Sequence, residues 1–263
     1  SRSEYYCGIL LEYPDVRSAP VRRITLPAAA RKAEGAHGIS FLGSGSFAQS
    51  FLLPALLRIR DVRPEAICTR SGLTAADIGA RLGFRTAVSS LEEILADPGT
   101  DAVVIAARHD LHGPSVLKCL EAGKPVFVEK PLCISMEELK AIAGLLSRLG
   151  ADAPVLQVGF NRRFSRAAAL VKRHFGEAAS PLQMVCRVNA GRIPLDHWIQ
   201  DPRRGGGRIV GEACHFIDLM QFISGADPVE VAAVAVDSPD RSSPGQDSSS
   251  ILIRFSNGST GVL

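Results

Sequence analysis

The sequence predicts an α/β fold: a doubly wound parallel sheet over residues 38–159, then an α+β unit over 160–263 with a mixed or antiparallel sheet. Three observations predict it. From Gly38 on, short and continuously apolar runs alternate with helical patterns, as in a parallel sheet covered on both faces. The first of these runs ends in Gly43-Ser44-Gly45 and opens into a helical stretch. Beyond Gly159 the alternation lapses, and strands follow one another with one helix among them.

Taken in order, Ile39-Ser40-Phe41-Leu42 is the first strand, and Phe47, Phe51, Leu52, Ala55 and Leu56 recur at helical spacing behind it. Glu65–Thr69 is the second strand. Thr74 to Leu82 reads as a helix with Thr74 as its N-cap and Gly83 as its stop. Ser90 to Leu95 is a short helix, and Ala102–Ala106 is a fully apolar strand. His112 to Glu121 is a helix stopped by Gly123, and Pro125–Glu129 is the next strand. A capping box between Ser135 and Glu138 opens a helix that runs to Leu149, and Val155–Val158 is a further strand. In the second unit a helix from Ser165 to Phe175 precedes strands at Gln183–Asn189, Val229–Val236 and Ser249–Phe255, with a helix at Ala213 to Ile223. Asp237 to Ser250 is rich in Ser, Pro and Asp and reads as an exposed loop. Asn257-Gly258 is a hairpin signal, and residues 259–263 start a strand. Residues 1–37 break from this alternation. There Gly8–Tyr13 reads as a stray strand and the rest as a linker rich in Pro and Ala.

A chain that is 46% hydrophobic and 22% charged has the means to bury a sizeable core. Basic and acidic residues nearly balance, 30 against 27, without a long block of one sign, so nucleic acid is not an expected partner. The longest apolar runs, such as Asp101–Ala107, are strand-sized and fall short of the roughly 18–20 residues of a membrane span, so no membrane partner is expected. The six cysteines (Cys7, Cys68, Cys119, Cys133, Cys186 and Cys214) show neither a CxxC nor zinc-finger spacing to histidine. They read as free thiols in a reducing compartment, with no metal site. The opening Ser1–Tyr6 carries an acid and lacks a long apolar stretch, so it does not read as a signal peptide, and the cytoplasm is the expected location.

Gly43-Ser44-Gly45-Ser46-Phe47-Ala48 fits G-x-G-x-x-A in the strand-to-helix context that gives the motif meaning, so it reads as the dinucleotide loop of a Rossmann domain. Gly43 makes the tight turn, Gly45 lets backbone approach a pyrophosphate, Ala48 allows close helix–strand packing, and the helix N-terminus favours the anion. An acid about 20 residues further on would accept from the ribose 2′-OH of NAD. Cys68-Thr69-Arg70-Ser71 stands there instead. Arg70 is suited to stack on adenine and pair with a 2′-phosphate, and Ser71 to hydrogen-bond it, with Thr69 alongside. The cofactor is therefore NADP or NAD, with NADP favoured; a solvated Arg70 beside bound NAD is the alternative. Ala106 and Ala107, at the end of the apolar strand, and His112 and Glu129 complete the expected cofactor cleft.

Glu129-Lys130-Pro131 falls at the carboxyl end of an apolar strand, the edge where open parallel sheets bind ligands. A lysine there can donate to a substrate oxygen and stabilise developing alkoxide charge. With GSGSFA at 43–48, AGKPVFVEKPL at 122–132, VGFNRRF at 158–164 and GGGRIVGEACHFIDL at 205–219, the chain from about Gly38 to Leu263 resembles the glucose–fructose oxidoreductase / inositol dehydrogenase (Gfo/Idh/MocA) family. The resemblance implies a Rossmann domain followed by an α/β domain with an open sheet. It implies hydride transfer between a nicotinamide and a hydroxyl-bearing carbon of a sugar, nucleotide sugar or cyclitol. It makes Lys130, in a Lys130–Pro131 bond that is cis in many members, the contact to substrate and cofactor, and His215 the acid/base. Asn161 and Arg162 match the segment that approaches the active site. The family has an Asp four residues before that histidine, where this chain has Gly211; either Glu212 takes over the carboxylate role or Lys130 and His215 act without it. Trp198, in Asp196-His197-Trp198, serves either a substrate loop or packing; His112 caps a helix and lines the cleft, and Asp218 is structural. A non-catalytic NAD(P)-binding sensor or scaffold is the rival reading.

Details such as ARHDLH at 107–112 and GEACHF at 211–216 look closest to two-part oxidoreductases in which an alcohol-dehydrogenase-like domain precedes this module, with residues 6–13 as its last strand. A split into about 37, 122 and 104 residues of 263 then suggests a piece cut at both ends, with a second sheet short of strands and an exposed edge. A homo-oligomer is expected if that sheet is complete.

Overall fold

The structure is a computed structural model of the chain, and it describes residues 22–27, 36–176, 180–236 and 248–263. The strand read at Gly8–Tyr13 and most of the loop read at Asp237–Ser250 lie outside the described residues.

The elements run β1 (Arg23–Thr25), β2 (His37–Leu42), a π-helical turn Ala48–Leu52 into α1 (Leu53–Leu56), β3 (Val62–Cys68), α2 (Gly72–Leu82) and β4 (Thr86–Val88). They continue with α3 (Leu91–Leu95), β5 (Ala102–Ile105), α4 (His112–Glu121), β6 (Val126–Val128), α5 (Met136–Leu149) and β7 (Leu156–Val158). The second unit has α6 (Arg166–Gly176), β8 (Gln183–Val185), a π-helical turn Ile209–Ala213 into α7 (Cys214–Ser224), β9 (Pro228–Ala235), β10 (Ser249–Phe255) and β11 (Thr260–Val262).

The first sheet has seven strands in the order β1-β4-β3-β2-β5-β6-β7. Its six parallel strands fall in the doubly wound order, third-second-first-fourth-fifth-sixth, so the switch point lies between β2 and β5. Continuous apolar runs form these strands because helices cover both faces. One face buries Ile105, Val128 and Cys119 with α4 and α5; the other buries Phe41, Leu53, Ile78 and Phe84. The second sheet is mixed, in the order β8-β11-β10-β9, with β8 parallel to β11 and the other pairs antiparallel. Ile251, Ile253 and Phe255 alternate along β10 onto Met220 of α7, while every residue of the edge strand β9 is exposed. The Asn257-Gly258 turn joins β10 to β11, with Gly258 at φ +84°.

Several sequence expectations need correction. Residues 23–25, read as linker, form β1, which pairs antiparallel with β4 at the sheet edge. Arg23 reaches buried Asp97 and anchors that strand. Helix α2 starts at Gly72 with Ser71 as N-cap, because Ser71 is extended and its carbonyl takes the N–H of Ala75; Thr74 already lies inside the first turn. Strand β8 ends at Val185, not Asn189, since its partner β11 also ends after three residues. The helices read at Phe47–Leu56 and Ala213–Ile223 are part π-helical, and the second begins earlier, at Ile209. No helix among the described residues is long and apolar enough to cross a membrane.

Candidate active site

Gly43 follows β2 directly and takes φ +89°. Its N–H bonds to the carbonyl of Cys68 at the end of β3, and the Ala106 N–H bonds to the carbonyl of Leu42. A Cβ at Gly43 would lie 2.5 Å from the Ala106 oxygen and 2.7 Å from Ala107 Cα, so only glycine lets the loop pass between β2 and β5. At Gly45 a Cβ would meet nothing within 4 Å, which leaves the backbone open to a ligand. Gln49 closes the loop with a 2.7 Å bond to the Ser44 carbonyl, and Ala48 is buried where the helix crosses the sheet. Ser46 and Phe47 are exposed on the first turn of that helix. Thr69, Arg70 and Ser71 follow β3 beside this loop; Thr69 Oγ1 donates to the Ser71 carbonyl at 2.7 Å, and Arg70 is exposed. A loop with one glycine closed by sterics and the next left open, at a helix start, fits a dinucleotide pyrophosphate.

The second half of the site begins where β6 ends. Glu129 is partly buried, and burial raises its carboxyl pKa against the pull of Lys130. The Lys130–Pro131 peptide is cis. Lys130 Nζ donates to the Gly211 carbonyl at 2.8 Å and lies 3.9 Å from a Glu212 oxygen. Arg162 approaches the other Glu212 oxygen at 3.4 Å and stacks over Phe216 at 4.4 Å. His215, at the start of α7, is 6% exposed, with the Phe160 ring 6.1 Å away edge-on. Its Nδ1 is buried without a hydrogen-bond partner among the described residues. Burial first, then the positive charges of Lys130 and Arg162, lower its pKa to about 4, so the imidazole is neutral at neutral pH.

The structure thus gathers Lys130, Glu212, Arg162 and His215 around the backbone of Gly211. It does not bring Asn161 into the cluster: that residue is exposed at the head of a 3-10 turn, Asn161–Phe164, and its side chain makes no hydrogen bond among the described residues. His112 opens α4 and is 1% exposed. Its Nδ1 donates to the Pro131 carbonyl at 2.7 Å, and its Nε2 lies 3.2 Å from the Ala107 carbonyl, so it ties the end of β5 to the Lys130 loop. Trp198 packs edge-on against His109 with Arg108 above it, in a segment whose Arg204 carbonyl accepts from the Asp110 N–H. Asp218 is tied to Arg163 in a partly buried ion pair, a structural use. A cavity of about 750 Å³ adjoins the cluster between the segment after β8, β10 and the turn at Ile209–Ala213; of the predicted site residues only Glu212 lines it. Among the described residues no group of His, Cys, Asp or Glu is placed to hold a metal ion, and the described cysteines are free thiols.

His109 lies within ARHDLH at 107–112, where nothing in the sequence assigns it a role of its own. Its place beside Gly211 depends on a contact with Gly205, 96 residues further along the chain.

A family model described as "Oxidoreductase family, NAD-binding Rossmann fold" matches residues 38–160, and one described as "GFO/IDH/MocA C-terminal domain" matches residues 167–263. The scyllo-inositol 2-dehydrogenase (NAD(+)) of Bacillus subtilis is 33% identical over 160 residues, which cover 60% of this chain and 45% of that protein. The myo-inositol 2-dehydrogenase of Thermotoga maritima is 28% identical over 211 residues, 79% of this chain and 60% of that one. The chain therefore spans about half the length of these relatives. A solved structure of an NAD-binding protein from Listeria innocua superposes with a TM-score of 0.71 at 25% identity, covering 86% of this chain and 65% of that one. With one family's models matching both of its sheets in order, the chain belongs to the Gfo/Idh/MocA family of oxidoreductases.

Proposed function

We propose that the protein is an NAD(P)-dependent dehydrogenase or reductase acting on a hydroxyl-bearing carbon of a sugar, nucleotide sugar or cyclitol. In this reading residues 38–159 hold the cofactor and 160–263 supply the substrate side. The observation that carries it is the meeting of Lys130, from the carboxyl end of β6, with the turn that leads into His215. Gly43–Ala48, with Thr69–Ser71 and Ala106–Ala107 beside them, would hold the dinucleotide, whose nicotinamide supplies the hydride acceptor when bound.

The chain's own groups do the rest. His215 is unprotonated at neutral pH and accepts the hydroxyl proton. Lys130 spends one N–H on the Gly211 carbonyl and keeps donors for the substrate oxygen, where they stabilise alkoxide charge. Glu212 lies between Lys130 and Arg162 and offsets their charge. Arg70, exposed beside the glycine loop, favours NADP through a 2′-phosphate contact.

The test is nicotinamide reduction across inositols, sugars and nucleotide sugars with NAD and NADP. Lys130→Met and His215→Ala are each expected to lose on the order of 10²–10⁴ in turnover while still binding cofactor. Arg70→Ala is expected to weaken NADP and spare NAD. Turnover within about threefold of wild type in both active-site variants would refute the assignment. Tight cofactor binding without reduction on any of these substrates would favour a sensor module instead.

A further inference from the structure

His109 sits in the 3-10 turn His109–Leu111 between β5 and α4. Three neighbours fix its ring. Nδ1 is 2.8 Å from the Gly205 carbonyl, and because a carbonyl only accepts, Nδ1 carries the proton. A neutral ring then keeps its lone pair on Nε2. The ring meets Trp198 at 4.9 Å between centroids and 73°. The third neighbour is Gly211: a Cβ there would lie 3.2 Å from Cε1 and 3.6 Å from Nδ1 of His109. The imidazole fills the volume that a side chain at 211 would enter. Lys130 Nζ bonds the carbonyl of that same glycine, and His215 stands one turn further along. Nε2 makes no hydrogen bond among the described residues, and it is not one of the buried atoms left without a partner.

We propose that His109 is a substrate-binding residue of the active site, its Nε2 accepting a hydrogen bond from a second substrate hydroxyl. The proposal rests on the oxidoreductase reading and names the substrate feature that the site recognises. Lys130 Nζ bonds the Gly211 carbonyl and the His109 ring borders the Gly211 Cα, so both side chains meet at one residue. The ring is oriented before any ligand arrives, so little ordering cost falls on binding. Burial, with the positive charge of Lys130, outweighs the Gly205 carbonyl and Asp110 and lowers the His109 pKa, which keeps the ring an acceptor at neutral pH. Packing against Trp198 alone would be met by any flat ring and would not need a proton fixed on Nδ1.

The test is calorimetric binding of myo-inositol and of deoxyinositols, each lacking one hydroxyl, to the cofactor-loaded protein. His109→Asn keeps an amide donor for the Gly205 carbonyl and withdraws Nε2, and His109→Gln returns an amide to the reach of Nε2. Wild type is expected to hold myo-inositol about ten- to a hundredfold more tightly than the deoxyinositol missing the recognised hydroxyl. H109N should narrow that ratio to within about twofold by weakening myo-inositol alone, and H109Q should restore part of it. Equal weakening of both ligands in H109N, an unchanged ratio, or no binding of either ligand to wild type overturns the proposal. Failure of the oxidoreductase reading shows separately, as an intact binding ratio without nicotinamide reduction.

Discussion

The two glycines of the cofactor loop make a sharp contrast in single residues. At Gly43 the chain takes φ +89° and a Cβ would press on the Ala106 carbonyl at 2.5 Å, against backbone that cannot turn aside. Gly43→Ala should cost roughly 2–4 kcal/mol of stability and abolish cofactor binding. At Gly45 a Cβ meets open space, so Gly45→Ala should change stability by no more than about 0.5 kcal/mol while weakening the dinucleotide. Denaturant melts and cofactor fluorescence titrations on both variants check this, and equal stability losses would contradict it. At this scale the sequence is informative wherever one local stretch carries the chemistry: GSGSFA and EKP announce their positions by context. His109 does not, because its meaning depends on the absence of a side chain at Gly211 and on the Gly205 carbonyl, both distant in sequence. Of the pair Asn161 and Arg162, Arg162 turns to Glu212, while Asn161 faces solvent.

Among the elements, the apolar strands β2, β3, β5, β6 and β7 and the capped helices are legible in the sequence, and β1 and β4 are not. β5 and α4 stand where the periodicity puts them, and Ser135 accepts the Glu138 N–H at 3.2 Å as the capping signal requires. β1 and β4 are too short to show a period, and an ion cluster holds them in register instead. Buried Asp97 takes both Arg85 contacts at 3.0 Å, the Arg23 contact and the Gly99 N–H at 2.9 Å, while buried Glu65 takes Arg63 and Arg85. Burial opposes the ionised Asp97, yet these donors hold its pKa below the ordinary value. The cluster lies at the amino ends of the strands, opposite the cofactor edge. Asp97→Ala should therefore cost about 1.5–3 kcal/mol, because it removes the buried carboxylate that holds Arg23, Arg85 and the Gly99 N–H while Arg85 keeps Glu65, and should leave cofactor affinity of the folded protein unchanged. Arg23→Ala should cost only about 1 kcal/mol or less, since that side chain is 38% exposed. Its main effect should be faster amide exchange along Thr86–Val88, readable by hydrogen-exchange mass spectrometry.

Across the whole molecule, the two units meet through the groups that form the candidate site. Lys130 bonds Gly211, His109 bonds Gly205, the Asp110 N–H bonds the Arg204 carbonyl, and Arg162 meets Glu212. Three of the histidines around this junction, His109, His112 and His215, have pKa values lowered chiefly by burial. A lowered histidine pKa means the unfolded chain takes up protons first as pH falls, so acid favours unfolding. For His215 the window runs from its ordinary 6.5 down to about 4, and the loss across it is on the order of 3 kcal/mol. Stability should therefore be flat above about pH 7, decline steadily toward pH 4, and gain no further contribution from His215 below that. Asp97 acts in the same direction at still lower pH, when its carboxylate is finally protonated. His215→Asn removes one titrating group without emptying the site, so its urea midpoints from about pH 7 to about pH 4 should fall less steeply than those of wild type. Superimposable acid profiles for the two proteins would mean that the buried imidazole is not strained toward neutrality by its surroundings, and the neutral base on which the proposed proton transfer depends would have to be sought elsewhere in the junction.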